Sequence, residues 1–272
     1  MKIALLITGQ IRTNELCKHV IKNTLIKKYD TDVFLSIDKS NKNQNDDLNS
    51  INDTQHDTIN EVIKYYNPIS TYICETYDNL FDNEKKKLDC NLPIDRRYRL
   101  ILQQYYVVSK AYEMLKNHIK NTGKQYDIII RLRFDQFIWS NPSPLSKYVI
   151  YNSRNCKVIK YNTDIINMVK KDSEHLKIEL DHPNENEIYV FGFSRNNIQS
   201  DYVNDQFWVH SYSLINIISE FYNELPYLIN THYFNAKDYA FCEILFYRFL
   251  KSKNINIKKS NVIGEFCREF FI

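Results

Sequence analysis

The sequence predicts an α/β fold built on a mostly parallel central sheet, and three observations carry that reading. The chain opens on a continuous apolar run, Lys2 to Gly9, of the kind that is buried on both faces inside parallel sheets. Apolar, strand-like segments then alternate with segments of helical period, which is the rhythm of βαβ units. A long amphipathic helix finally leads straight into the clearest strand of the chain, Tyr126 to Asp135.

Taken in order, a helix is expected over 14–27 after the first strand. Asp32-Val33-Phe34-Leu35-Ser36-Ile37-Asp38 reads as a second short strand, and the polar stretch 39–57 as a surface loop. A third strand follows Pro68, near Thr71 to Cys74. From Arg97 to about Asn121, Ile101, Tyr105, Val108, Tyr112, Leu115 and Ile119 recur at spacings of three and four and describe one helix face, closed by Gly123. Beyond the central strand, further strands are expected at 187–193 and 206–209, and helices at about 211–223 and 237–252. An irregular loop region should fill about 140–186. Neither a repeat nor a linker is visible, so a single domain over 1–272 is expected.

Composition narrows the function classes. At 272 residues the chain can bury a sizeable core, and Lys+Arg exceed Asp+Glu by only 36 to 33, a net charge of +3. Without a concentrated basic stripe, nucleic acid is not an expected partner. The 21 Tyr and 15 Phe beside 4 Gly reflect a coding bias, so an isolated Tyr or Asn carries little functional information. Six cysteines form no CxxC pair, which fits a reducing, cytoplasmic compartment. No run of about 18 apolar residues occurs, so neither a transmembrane segment nor a signal peptide is expected, and the sequon at Asn52 reads as chance. With glycine only at 9, 123, 192 and 264, neither GxGxxG nor GxxxxGK[ST] can be written. HExxH, GxSxG and zinc-type Cys/His spacings are also missing, which leaves chemistry based on carboxylates, arginines and histidine.

The central strand carries the first candidate site. Side chains alternate along a strand, so Ile128, Ile130, Leu132 and Phe134 face one way while Ile129, Arg131, Arg133 and Asp135 face the other. Charges on so apolar a strand are costly unless they are paired or open to a cleft. Asp135 stands where the strand ends, and α/β sheets bind ligands outside the carboxyl ends of their strands. Gly9, Gln10 and Arg12 follow the first strand in the same way.

Three blocks together resemble a group of glycosyltransferases common in large DNA viruses and bacteria: Gly9-Gln10-Ile11-Arg12, then Tyr126-Asp127-Ile128-Ile129-Ile130-Arg131-Leu132-Arg133-Phe134-Asp135, then Asn204-Asp205-Gln206-Phe207-Trp208-Val209. The resemblance implies a glycosyltransferase-A-like fold and transfer of a sugar from a nucleotide-diphosphate donor, such as a UDP-sugar, to a glycan or other acceptor. It places the donor half at 1–138 and the acceptor half at 139–272, in the host cytoplasm if the chain is viral, with a homo-oligomer left open. Gly9, Gln10, Arg12, Arg131 and Arg133 become the expected donor-binding residues. Asp135 and Asp205 become the expected catalytic acids, Asp205 as a base activating the acceptor beside a sugar-stacking pair, Phe207 and Trp208. A divalent metal, Mn²⁺ or Mg²⁺, would sit at Asp135 with His232 as a second ligand. The fold usually carries Asp-x-Asp at the end of its central strand, whereas this chain reads Phe134-Asp135-Gln136-Phe137, so Arg12 or Arg133 would take part of that load. His210 reads as a structural histidine and Glu243 as a solvated or capping charge. A catalytically inactive binding or assembly protein on the same fold is the alternative.

Overall fold

The computed structural model describes residues 1–12, 14–39, 58–88, 96–140, 149–151, 157–159, 163–191, 203–232 and 242–266. The chain alternates as the sequence predicts: β1 (Lys2–Gly9), α1 (Asn14–Ile21), β2 (Asp30–Asp38), α2 (Ile59–Tyr66), β3 (Ser70–Cys74), α3 (Asp78–Lys85), α4 (Arg96–Thr122) and β4 (Ile128–Arg133). There follow β5 (Gln136–Trp139), β6 (Val149–Tyr151), β7 (Lys157–Ile159), α5 (Thr163–Ser173), β8 (Glu187–Phe191) and β9 (Asn204–Ser211). α6 (Ile215–Ser219), α7 (Phe221–His232), α8 (Cys242–Ser252), β10 (Asn256–Lys259) and β11 (Ile263–Phe266) complete it.

Among the described residues, seven strands form the main sheet in the order β10-β8-β9-β4-β1-β2-β3, and two small two-stranded sheets join β11 to β5 and β6 to β7. β4, β1, β2 and β3 are parallel, β9 runs antiparallel between β4 and β8, and β10 lies parallel to β8. The architecture is therefore mixed α/β, a mostly parallel sheet flanked by helices, and it draws strands from both halves of the chain.

Strand alternation sorts the core into two layers. Ile3, Leu5, Ile7, Ile128, Ile130 and Leu132 pack with α1 residues Leu16, Cys17 and Val20 on one face. Ala4, Leu6, Phe34, Ile129 and Trp208 pack on the other against α4, α7 and α8. The helical period read over 97–121 is realised in α4: Ile101, Tyr105, Val108, Tyr112 and Leu115 are buried, and Ile119 packs partly. Gly123 ends that helix with φ of +69°, its amide donating to the Ile119 carbonyl at 2.8 Å, the left-handed cap that glycine adopts without strain. α2 begins with a reciprocal capping box between Thr58 and Glu61.

Several expectations need correction or fall elsewhere. The region 140–186 is not simply irregular, because α5 lies within it and buries Val169 and Ser173 against the α1 side. Its 11-residue pattern is short and Lys-rich, which hides the helical period. The expected helix at 211–223 is broken into a 3-10 turn, α6 and the start of α7, and β9 runs over 204–211 rather than 206–209. The loop at 40–57, with its sequon, and the expected helical residues 237–241 lie outside the described residues.

Three polar side chains buried under α4 form one hydrogen-bonded chain. Trp208 Nε1 donates to the Tyr112 hydroxyl at 2.9 Å, that hydroxyl donates to His210 Nε2 at 2.7 Å, and His210 Nδ1 donates to the Ser211 carbonyl at 2.7 Å. His210 is fully buried, and burial pushes its pKa down to about 4, so the ring is neutral and structural. Its folded pKa lies below the unfolded value of 6.5, so the unfolded chain takes up the proton first. Stability from this group is complete above pH 6.5 and is lost as pH falls towards 4, about 3 kcal/mol over the window. Urea midpoints should therefore drop between those pH values, and the drop should flatten in His210→Gln, whose amide can keep both hydrogen bonds. An equally steep drop in the variant would clear His210 of the effect.

Candidate functional site

The order β3-β2-β1-β4 reverses direction at β1, which makes the crevice between the carboxyl ends of β1 and β4 a topological switch point. A cleft of about 210 Å³ opens there. It is lined by Thr8, Gly9, Gln10, Arg12, Asp38, Leu100, Gln103, Gln104, Val107, Arg131 and Arg133, all within residues 1–138. The backbone leaving β1 is bent to form its edge: Gly9 has φ of +108° and Arg12 has φ of +39°, a left-handed conformation that is costly for a side chain of that size.

All five residues expected to bind a donor thus line one cleft. The two expected acids, Asp135 and Asp205, lie beneath it. Asp135 has no solvent exposure. Arg133 meets it with a two-pronged fork, Nε to Oδ1 at 2.8 Å and Nη2 to Oδ2 at 2.9 Å, and Arg12 Nη1 reaches Oδ2 at 3.2 Å. The Arg12 and Arg133 side chains keep 15% and 17% exposure, and both residues line the cleft. Gln10 Oε1 accepts from Arg12 Nε at 3.0 Å. Burial alone would lower the Arg133 pKa, but the ion pair with Asp135 more than offsets it and raises the value.

Arg131 is a different arginine, 1% exposed. Its Nε donates to Thr8 Oγ1 at 3.0 Å, its Nη1 donates to the main-chain oxygen of Asp205, and the guanidinium lies 4.6 Å from the Trp208 ring centroid. Burial lowers its pKa to about 10, partly offset by Asp205, so it remains cationic at neutral pH. Asp205, 2% exposed, sits in an irregular stretch of β9 where Val190 pairs with Trp208 but Phe191 pairs with Asn204. Such a bulge re-aims side chains, here turning Asp205 towards α4, where it accepts from the Tyr105 hydroxyl and Gln104 Nε2, each at 2.5 Å.

The stacking surface expected from Phe207 and Trp208 is overturned. Phe207 is fully buried and stacks on Phe191 at 4.4 Å, while Trp208 is 1% exposed and packs on Phe246 on the opposite face of the sheet. Strand alternation separates the two rings. Sequence reasoning missed Asp38, Gln103, Gln104 and Leu100. The last three share one face of α4 with buried positions, so the period that reveals the core also conceals the wall.

For a metal, Asp205, Cys242 and Glu243 present ligand atoms within 4.8 Å of one another, a set that could hold an ion. Glu243 is thereby drawn into a cluster rather than standing as a plain solvated charge. Burial, then Asp205 and Glu243, push the Cys242 thiol well above its usual pKa. Asp205, Cys242 and Glu243 do not line the cleft, and a protonated thiol is a poor partner for a hard cation such as Mg²⁺. Asp135 has both oxygens against guanidiniums. Among the described residues neither set fits a divalent metal bridging a diphosphate in the cleft, and the His232 side chain lies outside them.

No protein-family model matches the chain, and no curated protein matches it. Among solved structures it is similar to the PaToxG glycosyltransferase at 10% identity over 93% of this chain and 68% of that one, with a TM-score of 0.32. At that score the likeness assigns neither activity nor substrate.

The Asp135 pairing yields a direct test. Asp135→Asn keeps the shape and removes the charge, leaving two guanidiniums without their counter-ion. Equilibrium urea unfolding should show a loss of about 3 kcal/mol, the low end for breaking a buried pair because both arginines keep some water. A loss below about 1 kcal/mol would show that the pair is dispensable to the fold.

Proposed function

We propose that the protein is a glycosyltransferase using a nucleotide-diphosphate sugar, with the diphosphate bound at Arg12 and Arg133 in the β1/β4 cleft. The observation that carries this reading is the pair of guanidiniums, held by the fully buried Asp135, at the switch point of a mostly parallel sheet. Guanidinium forks match phosphate oxygens in geometry and stay charged at any working pH. As the bond between the sugar and the diphosphate breaks, negative charge gathers on the leaving diphosphate. Cations already fixed in place offset that charge without having to reorganise.

Among the described residues the lining belongs to 1–138, which supports that half as the donor side and leaves 139–272 to the acceptor. Because neither Asp135 nor the Asp205, Cys242 and Glu243 cluster fits a bridging metal, the arginines take the electrostatic role, and donor binding should persist in EDTA. One observation favours a binding protein without turnover: Asp135 and Asp205 are both engaged beneath the cleft, which leaves Asp38 as its one lining carboxylate among the described residues.

Calorimetry with UDP, GDP and dTDP, followed by assays of sugar release from the corresponding nucleotide sugars, tests both readings. At least one diphosphate should bind. Arg133→Lys, which keeps the charge but loses the fork, should weaken it about tenfold. Binding with no sugar release or transfer to any acceptor would favour the inactive protein. No heat with any diphosphate at millimolar concentration would remove the donor site altogether.

A further inference from the structure

One buried carboxylate fixes the direction of a polar side chain on the α4 wall of the cleft. Asp205 Oδ2 accepts from the Tyr105 hydroxyl and from the Gln104 side-chain nitrogen, each at 2.5 Å. A carboxylate only accepts, so the nitrogen end of the Gln104 amide is the end that must face it. Turning the amide over would set its oxygen against a buried negative charge. Gln104 is half-buried and lines the cleft, so with its nitrogen held by Asp205 its amide keeps its carbonyl oxygen as a fixed acceptor, beside the second N–H. A glutamine without such a partner would reorient for whichever ligand arrived.

We propose that Asp205 is a positioning residue that fixes the Gln104 carbonyl as a hydrogen-bond acceptor on the α4 wall of the cleft, so that the site selects ligands bringing a hydroxyl or N–H donor to that point. This rests on the donor-site reading above and adds the polarity of recognition to it. Arg12 and Arg133 offer only donors, which suit phosphate oxygens; Gln104 offers an acceptor, which suits a ribose hydroxyl, a hydroxyl of the transferred sugar or a base N–H. A ligand carrying phosphate at one end and a hydrogen-bond donor at the other is therefore held in one direction. Asp205 touches no part of the cleft itself and acts through the amide it orients.

The experiment is calorimetry on the full chain with the tightest binder of UDP, GDP and dTDP. Alongside it are run its analogue without ribose hydroxyls, its analogue methylated at the base N–H, and its glucose-bearing form. Gln104→Leu, on a half-exposed helix face, should fold normally and weaken the parent ligand about fivefold to tenfold. It should also abolish the selectivity for one form only, and which form loses it identifies the hydroxyl or N–H that Gln104 accepts. Asp205→Asn can give its own NH₂ to the Gln104 oxygen and let the amide turn over, so it should reduce the same selectivity. A variant that had merely loosened the fold would weaken all forms alike. The inference is overturned if the parent binds but Gln104→Leu keeps its affinity within about twofold, or if every selectivity persists. Absence of binding by the unaltered protein overturns the donor-site reading and takes this inference with it.

Discussion

The cleft depends on a charge that the fold has nowhere else to put. Asp135 lies in the two-residue turn between β4 and β5, and it is wholly shielded from solvent. A buried carboxylate is tolerated only when it is paired and hydrogen-bonded, and here two guanidiniums from different segments do the pairing. Arg133 is the last residue of β4. Arg12 comes from the turn after β1, whose positive φ brings the residue into place. The pairing therefore ties the β1 exit to the β4 exit, and the cleft exists because those two exits are held together at their far ends by charge and along their length by parallel hydrogen bonding.

A second polar knot repeats the arrangement one step deeper. Arg131 is nearly inaccessible, yet it bonds Thr8 on β1 and the main chain of β9, and it lies over Trp208. Asp205 ties that same stretch of β9 to α4. The two knots share β4 and together connect β1, β4, β9 and α4, the four elements around the cleft. Neither knot is a cheap way to gain stability, since apolar residues of equal volume often do as well. What they provide is fixed direction for a small number of polar groups at one end of the sheet.

Much of this was legible in the sequence, for identifiable reasons. Period-two alternation placed Ile128, Ile130 and Leu132 against Arg131 and Arg133 on opposite faces of β4, and the structure separates them in that way. The period of α4 gave its buried face, and glycine at 123 gave its end. Alternation also located the residues around the cleft, because charges on an apolar strand must go to a partner or to an opening. What it could not give was which of the two applies. Asp135 and Arg133 are two residues apart on one chain, and only the burial of the strand end turns them into a pair. Asp205 was beyond reach for another reason: its direction is set by a register shift opposite β8, and a shift of that kind leaves no mark on the pattern of apolar residues. The adjacent Phe207 and Trp208 misled in the same region, since neighbouring residues on a strand point to opposite faces.

The contrast between Asp135 and a metal-binding acid follows from the same geometry. A carboxylate that grips a divalent cation must direct lone pairs at it, and the usual arrangement brings several oxygens to one point. Among the described residues the strand end offers one carboxylate, and two guanidiniums converge on it. The cationic groups that line the cleft are then arginines fixed in part by Asp135. If a diphosphate binds there, its charge meets cations whose number and position were settled when the sheet formed, and no ion has to be recruited. Such a site gives up the flexibility of an exchangeable cation in return for donors that are already oriented, and its electrostatic strength depends on keeping Asp135 dry.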